Sequence, residues 1–186
     1  MKYFVALGSN SGDPLANLIA ALRRLPGLAG TSSIYLTSPV EMEPDAEPVL
    51  NAVAALDFPE GPHELWSRLA QIEDSLGRRR PYRNAPRTLD LDIVAADRIR
   101  LDDDVLTIPH PRAASRLFVL VPLAELDSSV AQEVAGFDFD AAHVGDTEYR
   151  TRFGSQVVEV FMSAQDVVEH LAADGPEEGS ARAHGK

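Results

Sequence analysis

The sequence predicts an α+β fold, a sandwich of one sheet and helices in the ferredoxin-like order β-α-β-β-α-β. Two observations support this prediction. Apolar residues recur at helical spacing in two segments, and short apolar runs of strand length lie around them. The helical segments cover about 14–25 and 62–76, and the strand segments cover about 3–8, 31–37, 50–57 and 88–94. Further elements toward the C-terminus are expected to extend this core.

The first strand is predicted to end in a glycine-rich turn, Gly8-Ser9-Asn10-Ser11-Gly12. Asp13 suits the N-cap of the helix that follows, and Pro14 suits its first position. The buried face of that helix is predicted to be formed by Leu15, Leu18, Ile19, Leu22 and Leu25. The segment 38–48 contains three prolines and four acidic residues, which is typical of an exposed loop.

The second helix is predicted to begin near Gly61 and Pro62 and to end at Gly77. Its apolar stripe consists of Leu65, Leu69, Ile72 and Leu76. The later predicted elements are a rigid turn at 108–112, a helix at 118–126, a strand at 156–162 and a short helix at 164–173. We expect one domain over 1–173 and a disordered tail over 174–186, where Gly, Glu, Ser and Ala are common.

The composition favours a globular protein that binds small molecules. The formal net charge is −12, from 17 basic and 29 acidic residues, which is unsuited to general nucleic-acid binding. The predicted strands also lack the exposed aromatic residues of an RNA-binding sheet. No stretch approaches 18 apolar residues and the start is not typical of a signal peptide, so we expect a cytoplasmic protein without a membrane span. The chain has no cysteine, which excludes thiolate metal sites. For the oligomeric state, a monomer is favoured.

The most informative segment is the run Pro86-Arg87-Thr88-Leu89-Asp90-Leu91-Asp92-Ile93-Val94. Its alternation predicts a strand with Asp90 and Asp92 on one face, roughly 6.6 Å apart. Such carboxylates repel each other unless they share a cation or a proton. Leu91 and Ile93 favour a buried strand at the centre of the sheet over a solvated strand face. The pair could then hold Mg²⁺ with substrate phosphates, or bridge two ions.

Five arginines come shortly before the two aspartates: Arg78, Arg79, Arg80, Arg83 and Arg87. Taken singly, each is most simply a solvated loop residue. Guanidinium groups offer paired donors to phosphate, and Arg87 must project near the aspartates because it directly precedes their strand. Arginines that can bind phosphate therefore lie next to carboxylates that can bind a metal ion. This combination predicts a protein that binds and acts on a polyphosphate.

Other candidate features are weaker on their own. The turn 8–12 lacks the Walker pattern, so a simple strand-to-helix turn is favoured over a phosphate-binding loop. His110, between two prolines, is either a ligand contact or a packing residue. Glu73 lies on the polar side of the second helix, as an ordinary surface residue would. The segment 136–140 is predicted to be a surface loop or an edge strand, because no basic cluster accompanies its two aspartates.

Over roughly residues 2–126 the chain resembles the 6-hydroxymethyl-7,8-dihydropterin pyrophosphokinases of folate biosynthesis. The signature of that family, Pro-Arg, two residues, Asp-x-Asp and two aliphatic residues, is present at 86–94. Residues 6–13 resemble the first strand and turn of the family, and 72–80 resemble the end of its second helix and the loop that follows. The block at 109–123 contains Pro-His-Pro-Arg and Phe-Val-Leu in the family's order.

The resemblance implies transfer of pyrophosphate from ATP to the hydroxymethyl group of the pterin, with release of AMP. Asp90 and Asp92 would hold two Mg²⁺ ions, and Arg80 and Arg87 would complete the catalytic set as their loop closes over ATP. The implied ATP contacts are Glu73, Arg78, Arg80, Arg87, His110, Arg112 and Arg116. The implied pterin contacts are Thr37, Val40, Asn51 and Phe118, with Asn51 bonding the ring and Phe118 stacking on it.

Three positions depart from the family's usual pattern. Val49 replaces an aromatic residue two positions before the asparagine, Asn84-Ala85 replaces Trp-Gly in the arginine loop, and Glu41 replaces a glycine beside the pterin. These departures leave two alternatives open: the same chemistry on a different pterin-like acceptor, or a non-catalytic nucleotide-binding homologue. Retention of both aspartates and Arg87 favours the enzyme.

Overall fold

The computed structural model describes residues 1–38, 47–77 and 88–173. Most of the predicted loop at 38–48 lies outside the described residues, and so do the five arginines before the aspartate strand and the predicted tail at 174–186. The expected ATP contacts Arg78, Arg80 and Arg87 and the expected pterin contact Val40 therefore lie outside the described residues. The departures Glu41 and Asn84-Ala85 lie there too.

The described chain forms eight strands and six α-helices. In chain order these are β1 Lys2–Ser9, α1 Pro14–Leu22, β2 Leu28–Thr31, β3 Ile34–Thr37, β4 Val49–Asp57, α2 Pro62–Ser75, β5 Asp90–Ala96, β6 Leu101–Asp102, β7 Thr107–Ile108, α3 Leu117–Leu126, α4 Ser128–Ala135, α5 Thr147–Phe153, β8 Val158–Met162 and α6 Ala164–Ala173.

The main sheet is antiparallel and has the strand order β5-β1-β4-β3-β8, with β2 also paired to β4. The strand predicted at 31–37 is therefore two short strands. They are separated at Ser32, whose N–H donates to the Val53 carbonyl at 2.9 Å and whose hydroxyl accepts from the Val53 N–H at 3.0 Å. The order through β5 is β-α-β-β-β-α-β. It reduces to the predicted β-α-β-β-α-β when β2 and β3 are counted as the one strand that the sequence predicts, and the predicted fold class is confirmed.

The predicted central position of the aspartate strand is wrong. Of the described strands only β1 pairs with β5, so β5 is an edge strand. Leu91 and Ile93 are buried because α2 covers that face of β5. Near the end of β5, the His110 N–H donates to the Val94 carbonyl at 2.9 Å. Burial of one face by a helix produces the same apolar alternation as a central strand.

Helices cover both faces of the sheet. Leu91 and Ile93 pack in one core, which lies beneath α1 and α2. Val167 of α6 also belongs to this core. The other core lies beneath α3, α4 and α5 and includes Phe4 and Leu120. Because side chains alternate across a strand, Asp90 and Asp92 point to the α3 side.

The local signals for helix ends agree with the structure. Asp13 caps α1 by accepting from the Ala16 N–H at 3.0 Å. Gly77 ends α2 with a φ of +78°, a conformation that glycine adopts readily. Helix α1 ends at Leu22 rather than at the predicted residue 25, although Leu25 is still buried.

Helices α4 and α5 were not predicted from the sequence. Between them, the segment 136–140 forms a loop, as expected, but its Phe139 is only 2% exposed. Phe139 belongs to an aromatic cluster with Phe137, Tyr149 and Phe153. The aspartates of the loop bond locally, since Asp140 accepts from the Ala142 N–H at 2.9 Å. In the part of the chain that is described, no helix has the length and apolar character needed to span a membrane.

Candidate active site

One cleft at the end of the sheet gathers most of the expected site residues, and we call it the main cleft. The empty space within it, which is open to solvent, is about 920 Å³. Five parts of the chain line it: the end of β1, the end of β3, the start of β4, β5, and the segment from the turn at 110 into α3. Expected site residues on its wall are Thr37, Asn51, Asp90, Asp92, His110, Arg112, Arg116 and Phe118.

Asp90 and Asp92 form the acidic wall of the main cleft. Both are half-buried, whereas Leu91 between them is buried in the core on the opposite face. The anchored core residue fixes the strand, so both carboxylates reach the cleft from a rigid element. One or two carboxylates that complete their coordination with substrate phosphates are the usual protein ligands of Mg²⁺. The pair therefore fits magnesium bound as a nucleotide complex.

Glu73 lies beside this wall rather than in the main cleft. It lines a second cavity, the side cleft, together with Asp92, Leu91, Asp74, Trp66, Leu69 and Ala70. The Glu73 side chain is buried, and its Oε1 accepts from the Leu91 N–H at 2.7 Å. The interpretation of Glu73 as an ordinary surface residue was therefore wrong. Asp92 lines both cavities, so the side cleft adjoins the main cleft at this residue.

His110, Arg112 and Arg116 line the main cleft with the aspartates and interact with them electrostatically through His110. Burial lowers the pKa of His110 below its usual 6.5, and Arg116 and Arg112 lower it further, against the opposing effect of Asp92 and Asp90. Burial therefore favours the neutral form of the imidazole. Its Nδ1 accepts from the Arg112 N–H at 3.2 Å, which leaves the proton on Nε2. His110 thus presents a donor, and the two arginines present fixed positive charge.

At the other end of the main cleft, Thr37, Val49, Asn51 and Phe118 line a part that we call the slot. Thr37 Oγ1 donates to the Val49 carbonyl at 3.2 Å, so it must accept from Asn51 Nδ2, which lies 2.7 Å away. This fixes the Asn51 amide with its Oδ1 turned away from Thr37. Phe118 lines the slot, with the Arg116 guanidinium 5.4 Å from its ring centroid, and Val49 also lies on the wall. The lining of the slot thus includes an aromatic ring, an aliphatic side chain and an amide oxygen.

The glycine-rich turn after β1 contributes more than the sequence suggested. Gly8, Ser9 and Asn10 all line the main cleft. Ser9 Oγ donates to the Thr88 carbonyl at 2.6 Å and accepts from Asn17 Nδ2 at 3.2 Å. The turn is thereby fixed to Thr88, two residues before the aspartate strand begins. The pairing of Gly8 with Asn51 across β1 and β4 cannot be read from local sequence.

Sequence reasoning also missed a clamp between α3 and β3. Glu125 near the end of α3 accepts from the Ser33 N–H at 2.9 Å, the Ser33 hydroxyl at 2.8 Å and the Tyr35 hydroxyl at 2.8 Å. Burial, followed by the hydrogen bond and charge of Glu125, raises the pKa of Tyr35 well above 10. The helix and the strand that are joined here carry Phe118 and Thr37 at their other ends.

Comparison with known proteins agrees with this geometry. Residues 4–128 match the model of the family described as 7,8-dihydro-6-hydroxymethylpterin-pyrophosphokinase (HPPK). A 2-amino-4-hydroxy-6-hydroxymethyldihydropteridine pyrophosphokinase of Bacillus subtilis (strain 168) is 41% identical over 142 residues, which cover 74% of this chain and 84% of the relative. The enzyme of that name from Pseudomonas aeruginosa is 42% identical over 131 residues, which cover 67% of this chain and 80% of the relative.

A solved structure shares the fold. The Plasmodium falciparum HPPK-DHPS structure superimposes with a TM-score of 0.51 at 14% sequence identity, over 67% of this chain and 39% of that chain. At this identity the similarity concerns the fold alone. The family match and the bacterial relatives confirm the resemblance seen in the sequence, and this chain belongs to the 7,8-dihydro-6-hydroxymethylpterin-pyrophosphokinase family.

Proposed function

We propose that this protein transfers the terminal diphosphate of ATP to the hydroxymethyl oxygen of 6-hydroxymethyl-7,8-dihydropterin and releases AMP, a step of folate biosynthesis. The observation that carries the proposal is the joining of two kinds of site in one cleft. Asp90, Asp92 and the cationic side chains, which would suit a triphosphate, line the same cleft as the slot, whose Asn51 and Phe118 would suit a planar heterocycle. The family match and the bacterial relatives support the same reaction.

The chain contributes mainly position and charge, as is usual for phosphoryl transfer. Asn51 and Phe118 would hold the pterin so that its hydroxymethyl oxygen faces the β-phosphorus. The hydroxymethyl oxygen attacks the β-phosphorus. The bond between the β-phosphorus and the oxygen that bridges it to the α-phosphorus breaks, and the bridging oxygen leaves as part of AMP. The hydroxyl proton passes to solvent. The Nε2 proton of His110 and the charges of Arg112 and Arg116 would meet the phosphate oxygens as charge shifts onto AMP.

Magnesium is part of this proposal, with Asp90 and Asp92 as its protein ligands and two ions expected. Among the residues that the structure describes there is no cluster of three or more His, Asp or Glu side chains for a metal. The remaining ligands would then come from the triphosphate and water, which suits Mg²⁺. When bound, the ions supply charge neutralisation of the triphosphate.

The roles of the other expected residues are proposals from the family resemblance. Glu73 would contact the nucleotide from the side cleft. Arg78, Arg80 and Arg87 would contact the triphosphate, with Arg80 and Arg87 needed for catalysis. Thr37 and Val40 would line the pterin slot. The partners are small molecules, and the cytoplasm is the compartment that fits ATP as the donor.

The test is product analysis with ATP, Mg²⁺ and the dihydropterin, by chromatography and phosphorus NMR. We expect AMP and a pterin diphosphate in equal amounts. ADP as the nucleotide product would overturn the mechanism. AMP formed only with another heterocyclic alcohol would overturn the acceptor, and ATP binding without turnover on any acceptor would overturn the enzymatic role. An Asp92→Asn variant is the matched control for background hydrolysis of ATP.

A further inference from the structure

Gln156 lies in the short link between α5 and β8 and bonds to the chain where it enters α3. Its Oε1 accepts from the Leu117 N–H at 2.9 Å, and its Nε2 donates to the Ser115 carbonyl at 2.9 Å. These two groups belong to the peptide units on either side of Arg116, so one amide side chain bonds the backbone before and after this residue. Gln156 lies beyond residues 4–128, which the family model matches.

The two bonds hold the backbone of Arg116. This residue is the N-cap of α3 and is extended, with φ −122° and ψ 105°, and its own side chain makes no capping bond. The first N–H groups of a helix have no acceptor within the helix, and Gln156 supplies one for the first of them. Rotation about either backbone torsion of Arg116 would pull one of the two peptide units away from the amide. Gln156 therefore sets the direction of the Arg116 Cα–Cβ bond.

Arg116 depends on this contact more than its neighbour Phe118 does. Both residues line the main cleft, and the Arg116 guanidinium lies 5.4 Å from the centroid of the Phe118 ring. Phe118 lies within α3, where the buried Leu117 and Val119 fix the helix to the core. Arg116 precedes the first helical residue, so Gln156 holds it instead. Loss of the contact should displace the guanidinium more than the ring.

Gln156 is itself fixed from both sides. Shortly before it, the buried Phe153 belongs to the aromatic cluster, and shortly after it, β8 pairs with β3. The next residue is bonded to the end of β3 as well. The Val157 N–H donates to Ser38 Oγ at 3.0 Å, and the Ser38 N–H donates to the Val157 carbonyl at 3.2 Å. The amide therefore reaches Arg116 from an anchored part of the chain.

We propose that Gln156 is a positioning residue, which acts through the backbone of Arg116 and directs the guanidinium toward the phosphates of the bound nucleotide. This inference rests on the proposed function, in which Arg116 contacts ATP. Gln156 is not on the wall of the main cleft as the described residues define it, so it acts through Arg116 rather than by touching a substrate. Because Phe118 is held by α3, the KM for ATP should depend on Gln156 more than the KM for the pterin does.

The first test is nucleotide binding by Gln156→Met, which keeps the length of the side chain and loses both bonds. The probe is the Mg²⁺ complex of α,β-methylene-ATP, which cannot be cleaved between the α- and β-phosphorus, and calorimetry measures its Kd. We expect the Kd to rise about ten-fold, as for one misaligned hydrogen bond to a charged group. Gln132→Met is the matched control, because Gln132 is also half-buried and donates to Asp138 at 2.7 Å, outside the main cleft. It should leave the Kd unchanged.

A double-mutant cycle separates positioning from a general structural role. In an Arg116→Ala protein the side chain that Gln156 would direct is gone, so Gln156→Met should raise the Kd little further. The same rise in both backgrounds would overturn the proposal, because a general structural role adds independently. Steady-state kinetics provides the companion measurement. An equal rise of the KM for ATP and the KM for the pterin in Gln156→Met would also overturn it.

Hydrogen exchange tests the contact without any ligand. We expect the Leu117 amide to exchange faster in Gln156→Met than in the unmodified protein, while the amides of α2 stay protected. Unchanged exchange at Leu117 would overturn the proposal. The outcome for the reaction is separate: an unmodified protein that does not bind the analogue would overturn the proposed function. Binding of the analogue with the same Kd by Gln156→Met and the unmodified protein would overturn the positioning role alone.

Discussion

The buried Oε1 atom of Glu73 lies 2.7 Å from the Leu91 backbone nitrogen and accepts its hydrogen bond. This bond joins α2 to the point of β5 midway between Asp90 and Asp92. Among the described residues β5 is an edge strand, so no neighbouring strand accepts a hydrogen bond from this N–H. The Glu73 carboxylate accepts it instead. The helix thus fixes the backbone on which the proposed magnesium ligands lie.

Removal of the Glu73 carboxylate should destabilise the fold. Glu73→Ala leaves the buried Leu91 N–H without its acceptor, which costs about 1–3 kcal/mol in the free energy of unfolding. Glu73→Gln keeps an acceptor of the same length and should regain most of that loss. Urea denaturation measures both, with exposed Asp74→Ala as the control on the same helix. Equal stability of Glu73→Ala and Asp74→Ala would contradict this role.

Neutralising either aspartate of β5 should abolish turnover without unfolding the protein. Asp90→Asn and Asp92→Asn keep the side-chain size but remove the charge that would hold Mg²⁺, so we expect AMP formation to fall by orders of magnitude. Circular dichroism should remain unchanged. Asp97→Asn, just beyond β5 with its side chain 62% exposed, is the control and should keep normal activity. Near-normal turnover of Asp90→Asn or Asp92→Asn would refute the assignment of the metal ligands.

Much of the fold follows from local chemistry. The Gly61-Pro62 start, the apolar stripe and the Gly77 end of α2 are all specified within that segment of chain. The alternation around Asp90 and Asp92 likewise determines which face each side chain occupies. Such features are predictable because the physical cause and its effect lie within a few residues of each other.

What could not be predicted depends on long-range pairing. The division of β2 from β3 arises from the bonds between Ser32 and Val53, and the edge position of β5 arises from the order of the whole sheet. The long-range contacts of the candidate site could not be predicted from local sequence either. A signature motif and a family order indicated which residues belong to it, whereas the bonds of Glu73 and Glu125 join elements far apart in the chain. No local pattern predicts either set of bonds.

A methyl group at Gly8 should weaken acceptor binding. A Cβ at this position would lie 3.0 Å from Asn51 Oδ1, which is closer than ordinary contact, so the amide must shift. We expect Gly8→Ala to raise the KM for the pterin several-fold and to leave the KM for ATP nearly unchanged. Gly145→Ala is the matched control, since nothing lies within 4 Å of a Cβ there. Steady-state kinetics with each substrate varied in turn would detect the difference, and an equal rise in both constants would argue against a role of Asn51 in the acceptor slot.

Loss of the Glu125 clamp should also affect the acceptor end. Glu125 and Phe118 are seven residues apart and lie on one face of α3, while Tyr35 and Thr37 lie on one face of β3. Glu125→Ala releases Ser33 and Tyr35, and we expect the slot between Phe118 and Thr37 to widen and the KM for the pterin to rise. Glu125→Gln keeps the acceptor for the Tyr35 hydroxyl and should restore most of the affinity. Failure of this rescue, or a matching rise in the KM for ATP, would show that the clamp has a general structural role only.

The N-cap of α4 should make stability depend on pH in acid. Hydrogen bonds from the Ser129 hydroxyl and the Val130 N–H, together with the charge of Lys2, lower the pKa of Asp127 below 3.8 against the opposing effect of burial. The folded state therefore binds this proton less readily than the unfolded state. Its contribution to stability is present above the unfolded pKa and disappears as pH falls through the folded pKa.

Asp127→Asn separates the charge from the cap, because asparagine is also a good N-cap. We expect the unmodified protein to be more stable than Asp127→Asn near neutral pH. We expect that difference to stay constant down to about pH 4, close to the unfolded pKa, and to shrink as pH falls further toward the lowered folded pKa. Asp127→Ala also loses the cap and should remain less stable by about 0.5–2 kcal/mol in the free energy of unfolding at neutral pH. Urea titrations across this range measure all three proteins. A difference between the unmodified protein and Asp127→Asn that stays constant with pH would mean that the Asp127 charge contributes nothing to the cap.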